Sequence, residues 1–350
     1  MAGGEIAAGL PTTLSLQQPP SVAKFESPQP IQANPRELEL SPEQKELIAS
    51  LPVERSLGVR DCLKYNGFWY ESGHLGGVLR CQDNFQALET DIMLVTSPKS
   101  GATWLKALAF AALKRNQFPE QNSHPLLFTN PHELVPFLEF SFINSYSPDF
   151  EVFGHPRLLA SHLPFDALPT SVIDKGCKIV YLCRNPKDTF VSLWHFINKI
   201  QPAGRKPFSI DEAIALFTKG IYSFGSYWDN ALSYMKERKE NPKRIMFLMY
   251  EETMQDPKQQ VKKLAEFFGC PFSPEEEAGG VVDVIVRLCS FDHLSNLEVN
   301  KNGKLKAGIS NNSFFRRGEV GDSAKFLTSE NEALLDQITR EKFGGCNLNV

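Results

Sequence analysis

Thr96-Ser97-Pro98-Lys99-Ser100-Gly101-Ala102-Thr103-Trp104 joins the apolar run Asp91-Ile92-Met93-Leu94-Val95 to the helical-looking run from Trp104 to Lys114. A strand that turns through a short polar loop into a helix leaves free backbone N–H groups at the helix start. With a lysine and hydroxyls beside them, these make a seat for a phosphate. The same residues also serve as a plain strand-to-helix connection, because Gly and Pro are common turn formers. The loop is not a Walker A sequence: it lacks G-x-x-x-x-G-K-[ST] and has no hydroxyl after a Gly-Lys pair to hold magnesium, which demotes ordinary nucleoside-triphosphate hydrolysis.

Outward from this loop, short apolar runs predict strands at Ile92 to Val95, Leu158 to Ser161, Lys178 to Cys183 and Arg244 to Met249. Helical stretches lie between them, at Asp188 to Ile200, Ile210 to Glu240 and Val261 to Phe268. Helix starts are signalled where Ser41, Asn185, Asp256 and Ser273 each precede a proline. Strands spaced by helices imply an α/β fold, with a central parallel sheet covered on both faces and ligands at the carboxyl ends of its strands. No internal repeat and no second linker is evident, so residues 41–350 are expected to form a single domain. Residues 1–40, rich in Gly, Ala, Pro, Gln and Ser without periodicity, are expected to be a flexible tail.

The chain has 350 residues and a formal charge of −4, so it exerts no general pull on nucleic acid or anionic membrane, and any anion site must be local. Seven scattered cysteines form no C-x-x-C pair, which suits a reducing compartment and buried or neutral thiols. No signal-like N-terminus and no apolar run of the ~20 residues needed to span a membrane is present. The expectation is a cytoplasmic protein.

Three segments beyond the loop could carry chemistry. In Tyr181-Leu182-Cys183-Arg184-Asn185-Pro186-Lys187-Asp188, Arg184 ends a strand at the mouth of a capped helix that also carries Ser192; its bidentate donors suit a phosphate, although Asp188 offers an ordinary ion-pair partner. In Phe314-Phe315-Arg316-Arg317-Gly318, two guanidinium groups and backbone N–H donors can converge on one anion, or form only a solvated patch. His162 follows the strand Leu158 to Ser161 and is suited to take a proton near neutral pH; a structural histidine is the competing reading. The other histidines show no metal-binding spacing, and no metal is expected. Phe137 and Phe140, in Val135-Pro136-Phe137-Leu138-Glu139-Phe140, are either core or the wall of a small-molecule pocket.

In this order and at these intervals, P-K-S-G-x-T-W, V-P-F-L-E-F, S-H-L-P, R-N-P-K-D-x-x-x-S and R-R-G-E-V-G-D resemble the cytosolic sulfotransferase family, from about Phe68 to Phe343. Trp104-Leu105-Lys106-Ala107-Leu108 and Asn130-Pro131-His132-Glu133 look most like the plant branch. The resemblance implies transfer of a sulfuryl group from 3′-phosphoadenosine 5′-phosphosulfate (PAPS) to a hydroxyl of a small metabolite. Flavonoids, hydroxyjasmonate, steroids and desulfoglucosinolates are the acceptor types of that branch. It implies that Lys99, Ser100, Gly101, Ala102, Thr103 and Trp104 hold the 5′-phosphosulfate, and that Arg184, Ser192, Arg316, Arg317 and Gly318 hold the 3′-phosphate. Trp104, Tyr250 and the Ser290-Phe291 pair would grip adenine. His162 would be the base, Lys99 would stabilise the leaving phosphate, Ser192 would draw Lys99 aside until acceptor binds, and Phe137 and Phe140 would line the acceptor pocket. The stretch Asn198 to Phe208 is a further candidate for acceptor selectivity.

The sequence departs from the family pattern at Ser97, where a Tyr is common, and at Ala102, where a Thr is common. The loss of one hydroxyl contact to a charged group is worth ~1.5–3 kcal/mol. Ser323 replaces the tryptophan of the usual G-D-W. Ala324, Thr328, Ser329 and Ala333 stand where the animal dimer motif has its marked residues, so a monomer or weak dimer is expected. These departures motivate a second reading, a catalytically degenerate protein that binds 3′-phosphoadenosine nucleotides. A kinase with an unusual phosphate loop is the third.

Overall fold

A computed structural model describes residues 40–344, so the tail expected over residues 1–40 lies, Leu40 apart, outside the described residues. Three short strands, β1 (Val53–Glu54), β2 (Cys62–Tyr65) and β3 (Phe68–Glu71), form an antiparallel sheet in that order. Four more, β4 (Ile92–Thr96), β5 (Leu158–Ser161), β6 (Lys178–Cys183) and β7 (Ile245–Met249), form a parallel sheet ordered β5-β4-β6-β7. These are the four strands expected from the sequence, within one residue at each end; the antiparallel sheet was not anticipated.

Strand residues alternate faces, and the parallel sheet buries both of them. Met93, Val95, Leu159, Ile179 and Tyr181 enter one core cluster, while Ile92, Leu94, Leu158, Val180 and Leu182 enter the other. Each face is therefore covered, which is why β4 and β6 read as unbroken apolar runs rather than as alternating ones. Helices α1 (Pro42–Ser50), α2 (Ser72–Asn84), α3 (Ala102–Leu113), α4 (Pro186–Ile200), α5 (Tyr227–Glu240), α6 (Pro257–Phe268) and α7 (Ser329–Phe343) surround the sheets. The predicted caps are in place: Ser41, Asn185, Asp256 and Ser273 each accept a backbone N–H at the start of a helix. Among the described residues the cysteines are free, and all but Cys270 are buried.

The helix expected from Ile210 to Glu240 is two helices, Ile210–Thr218 and α5, with 219–226 between them. Gly220 and Phe224 sit at positive φ of 73° and 66°. The intervening backbone pairs with β3 instead of continuing the helix, with Phe224 N–H donating to the Trp69 carbonyl at 2.7 Å and Trp69 N–H to the Gly225 carbonyl at 3.0 Å. Ser226 then caps α5. The break turns Tyr222, Ser223 and Phe224 toward the large cavity described below.

The entry to β4 is tied to its neighbour by a buried ion pair. Arg157 donates to Asp91 through Nε at 2.8 Å and Nη2 at 2.6 Å, and Asp91 is 1 % exposed. Breaking such a pair leaves an uncompensated charge and costs about 3–5 kcal/mol. Asp91→Ala is therefore expected to lose that much stability by urea unfolding; a loss below 1 kcal/mol would show that the pair does not anchor the strand.

Candidate active site

The carboxyl ends of β4, β5, β6 and β7 lie at one rim of the parallel sheet, because all four strands run the same way and are in register, Val95 beside Ser161 and Tyr181, and Cys183 beside Met249. Lys99, His162, Arg184 and Tyr250 each follow one of these ends. A single cavity of about 1370 Å³ is lined by all four, together with Gly101, Ala102, Thr103, Trp104, Phe137, Phe140, Ser192, Ser290, Phe291, Arg316, Arg317 and Gly318. Ser100, fully buried beneath the loop, is the only predicted site residue outside this lining.

The loop after β4 has the geometry its sequence implies. Gly101, at φ 108°, is the N-cap of α3, and a Cβ there would stand 2.8 Å from the Tyr250 ring, so only glycine fits. Lys99 takes the left-handed conformation at φ 67°, uncommon for a residue with a side chain and typical of functional loops. Its amine lies 4.0 Å from the Phe196 ring centre and 5.5 Å from that of Phe314. It thus rests one turn of α4 beyond Ser192, not on the Ser192 hydroxyl. Burial, and then the cations Arg184, Arg316 and Lys199, bring Lys99 down to about 7.

His162 is held from several sides. Its Nδ1 lies 2.8 Å from the Thr96 carbonyl oxygen, which can only accept, so Nδ1 carries the proton and Nε2 is the free lone pair. Its backbone N–H donates to Glu139 Oε1 at 2.8 Å, and its carbonyl accepts from Asn230 Nδ2 at 3.0 Å. Phe137 packs 4.4 Å from the imidazole, with Phe224 and Phe140 behind it. Burial, reinforced by the charges of Lys106 and Lys99 and opposed by the bond to Thr96, lowers His162 to about 3, leaving it neutral at ordinary pH.

On the far side, Arg184 makes the ion pair the sequence allowed, 3.3 Å to Asp188, and also donates to the Glu319 carbonyl at 2.8 Å and lies 4.5 Å over the Tyr250 ring. Asp188 organises the C-terminal loop as well, accepting from Gly321 N–H at 2.8 Å and Ser323 N–H at 2.9 Å. Arg316 pairs with Asp322. Gly318, at φ 67°, lies so close to Phe291 that a Cβ would meet that ring at 2.4 Å. Trp104 and Tyr250 meet edge to face at 5.4 Å, and Ser290 caps the short helix carrying Phe291. Arg184 Nε and Arg316 Nε, on residues that line this cleft, are buried without a protein partner, as is Ser100 Oγ within the loop.

A family profile described as "Sulfotransferase domain" matches residues 89–347. Cytosolic sulfotransferase 12 of Arabidopsis thaliana is 46 % identical over 89 % of this chain and 94 % of its own length. The chain belongs to the sulfotransferase family. It is an enzyme of PAPS-dependent sulfuryl transfer. The crystal structure of a candidate steroid sulphotransferase from Arabidopsis thaliana superposes with a TM-score of 0.70 at 39 % identity, covering 89 % of this chain and 98 % of that one. That of a mouse sulfotransferase complexed with PAP superposes at 0.63 and 27 % identity, covering 82 % and 95 %.

Several residues of this sulfotransferase's cavity were not anticipated. Leu57 and Arg60 come from the loop between β1 and β2, Glu71 from the end of β3, His74 from α2, and Tyr222, Ser223 and Phe224 from the break before α5. Of the stretch Asn198 to Phe208, only Lys199 and Ile200 line the cavity; Phe208 is 5 % exposed and is pinned by Asn198, which donates to its carbonyl and accepts its N–H. His132 also lines the cavity, with Lys106 behind it; both fall in the two phrases that look like the plant branch, from which no chemistry was read. Among the described residues, no cluster of three or more His, Cys, Asp or Glu is placed to hold a metal, and no helix is long and apolar enough to cross a membrane.

Proposed function

We propose that this sulfotransferase acts on a hydroxyl of a small metabolite of flavonoid, hydroxyjasmonate, steroid or desulfoglucosinolate type, with His162 as base and Lys99 at the leaving phosphate. PAPS, when bound, supplies a sulfuryl group attached to a phosphate that can depart with the electron pair. The observation that carries the reading is the 2.8 Å bond from His162 Nδ1 to the Thr96 carbonyl, which leaves Nε2 unprotonated and facing the shared cavity.

The cleft residues fit a nucleotide with two anionic ends. Buried donors without partners, Arg184 Nε and Arg316 Nε, are suited to the 3′-phosphate with Ser192, Arg317 and the Gly318 N–H. Lys99 and the N–H groups of Ser100 to Trp104 are suited to the 5′-phosphosulfate, and Trp104, Tyr250, Ser290 and Phe291 to adenine. Ala102 contributes a backbone N–H where the family has a hydroxyl as well. At the acceptor side His162 takes the hydroxyl proton as the acceptor oxygen bonds to sulfur, and Lys99 meets the charge that the leaving phosphate gains. Phe137, Phe140, Phe224 and Tyr222 wall this side, which favours an acceptor with an apolar body. The curated relatives are named cytosolic, and the proposal includes a cytoplasmic location, a single domain over residues 41–350 and a monomeric or weakly dimeric state.

Transfer of labelled sulfate from PAPS to a panel of the four acceptor types tests the reading. Turnover of one class supports it. Tight binding of 3′-phosphoadenosine 5′-phosphate (PAP) with no transfer to any member would favour the degenerate nucleotide binder instead.

The pH profile offers a second test. Lys99 titrates near 7 in the free protein, and only its charged form attracts the nucleotide. Because kcat/KM reports free-enzyme groups, kcat/KM for PAPS is expected to fall as pH rises through about 7. His162, titrating near 3, gives no acid limb between pH 5 and 7. A profile that climbs from pH 6 to 8 would contradict this assignment.

A further inference from the structure

Thr103 and Lys106 stand three residues apart on α3 and so share a face. Thr103 belongs to the loop end of the helix. Lys106 lies one turn deeper, 1 % exposed, in a helix whose other buried residues are all apolar. A buried amine costs several kcal/mol to desolvate, and an apolar side chain of the same length would pack there without that cost. Its presence there calls for a function.

The contacts of Lys106 suggest one. Its Nζ lies 3.1 Å from His132 Nδ1 and 3.2 Å from the centre of the Phe137 ring, while His132 Nε2 lies 2.9 Å from Thr103 Oγ1. The imidazole between them is clamped. It stacks on Phe137 at 5.4 Å and 22°, meets Phe314 at 4.4 Å, and its backbone N–H donates to Asn130 Oδ1 at 2.9 Å. Asn130, fully buried, donates in turn to Asn300 Oδ1 at 2.8 Å, and Asn300 donates to the Leu294 carbonyl at 2.8 Å, which ties this histidine to the helix carrying Phe291.

Proton counting gives the chain a direction. A charged lysine only donates, so His132 Nδ1 accepts; a neutral imidazole has one N–H, which must then sit on Nε2 and donate to Thr103 Oγ1. Having accepted, the threonine oxygen keeps its own O–H free for a group in the cavity it lines. Burial and the cations Lys106 and Lys99 hold His132 well below its ordinary value, so the ring stays neutral as this requires. Burial also lowers Lys106, against the pull of Glu139, but the face of Phe137 and an anion at the loop both favour its charged form. The opposite polarity would turn oxygen lone pairs toward that anion. The anion therefore selects the donating arrangement, and each bond in the chain polarises the next.

We propose that Lys106 and His132 are positioning residues that fix the Thr103 hydroxyl as a hydrogen-bond donor aimed at the 5′-phosphate end of the nucleotide. The proposal rests on the nucleotide placement given above. Neither residue touches the reacting atoms, so both act through Thr103.

Calorimetric titration of the full chain with PAP tests this in a double-mutant cycle of Lys106→Met, His132→Phe and Thr103→Val. Each single substitution is expected to weaken PAP about tenfold, the low end of what a hydrogen bond to a charged group is worth. Lys106→Met combined with Thr103→Val is expected to bind PAP within about twofold of Thr103→Val alone, whereas in a Thr103→Ser background, which keeps the hydroxyl, Lys106→Met again costs about tenfold. The melting temperature of Lys106→Met should stay level or rise, because an apolar side chain replaces a buried amine. Losses that multiply in the Thr103→Val background, single variants that bind PAP like the wild type, or a melting temperature that falls together with PAP binding would each overturn the proposal. A wild type that binds no PAP would instead defeat the parent reading, and this inference with it.

Discussion

His162→Ala is expected to lower kcat by about 10²–10⁴-fold, the range general-base catalysis supplies, while PAP affinity stays within twofold of wild type. The reason lies in how the ring is held. With Nδ1 committed to the Thr96 carbonyl, Nε2 is the one ring atom able to take a proton, and alanine leaves nothing in its place. The wall of Phe137 and Phe224 persists in the variant, so acceptor binding should change little. Rapid-quench measurement of a single turnover separates chemistry from product release. A single-turnover rate within threefold of wild type would remove His162 as the base.

Lys99→Met is expected to lower kcat by about 10²–10³-fold, the cost of losing one preorganised group aimed at developing charge. It should not destabilise the empty protein. The Lys99 amine is enclosed beside Arg184, Arg316 and Lys199, which repel it, so removing its charge relieves a strain that exists only without the nucleotide. The expected signature is an unchanged or higher melting temperature with transfer largely lost. Thermal unfolding and steady-state kinetics on the same preparation check it; a lower melting temperature with kcat retained would reverse the assignment.

The parts of this site that depend on one strand end apiece were legible in the sequence. Lys99, His162, Arg184 and Tyr250 each follow an apolar run, and parallel strands bring such positions to one rim whatever lies between them. Parts that depend on packing across the molecule were not. β1 and β2 are short, both residues of β1 are exposed, and neither shows the alternation that marks a strand, yet their sheet, its β1–β2 loop and α2 bring Arg60, Glu71 and His74 to the cavity wall. The break at Gly220 was hidden inside a long helical-looking stretch, because the backbone after it is held by pairing of Phe224 and Gly225 with Trp69, a residue far earlier in the chain that only the fold brings alongside. His132 stood in a quoted phrase that carried no chemical reading. Its neighbour is a lysine 26 residues away in sequence that only the fold places beside it.

Arg184 combines the local ion pair with a donor that the pair does not use. Its ion pair with Asp188 exists, as ordinary local pairing suggests, and the same carboxylate also fixes the Gly321 and Ser323 N–H groups. The pair therefore shapes the cleft, and Arg184 Nε is left free of protein partners. Ser323 meets Asp188 through its backbone, so the loop is anchored there without the tryptophan of the family pattern.

The most direct measurement is a crystal structure of the protein grown with PAP. The 5′-phosphate is expected within hydrogen-bond distance of Lys99 Nζ and the loop N–H groups, the 3′-phosphate on Arg184 and the Arg316 to Gly318 loop, and His162 Nε2 open to the space between loop and acceptor wall. A nucleotide bound elsewhere, or reversed end for end in this cleft, would contradict this placement.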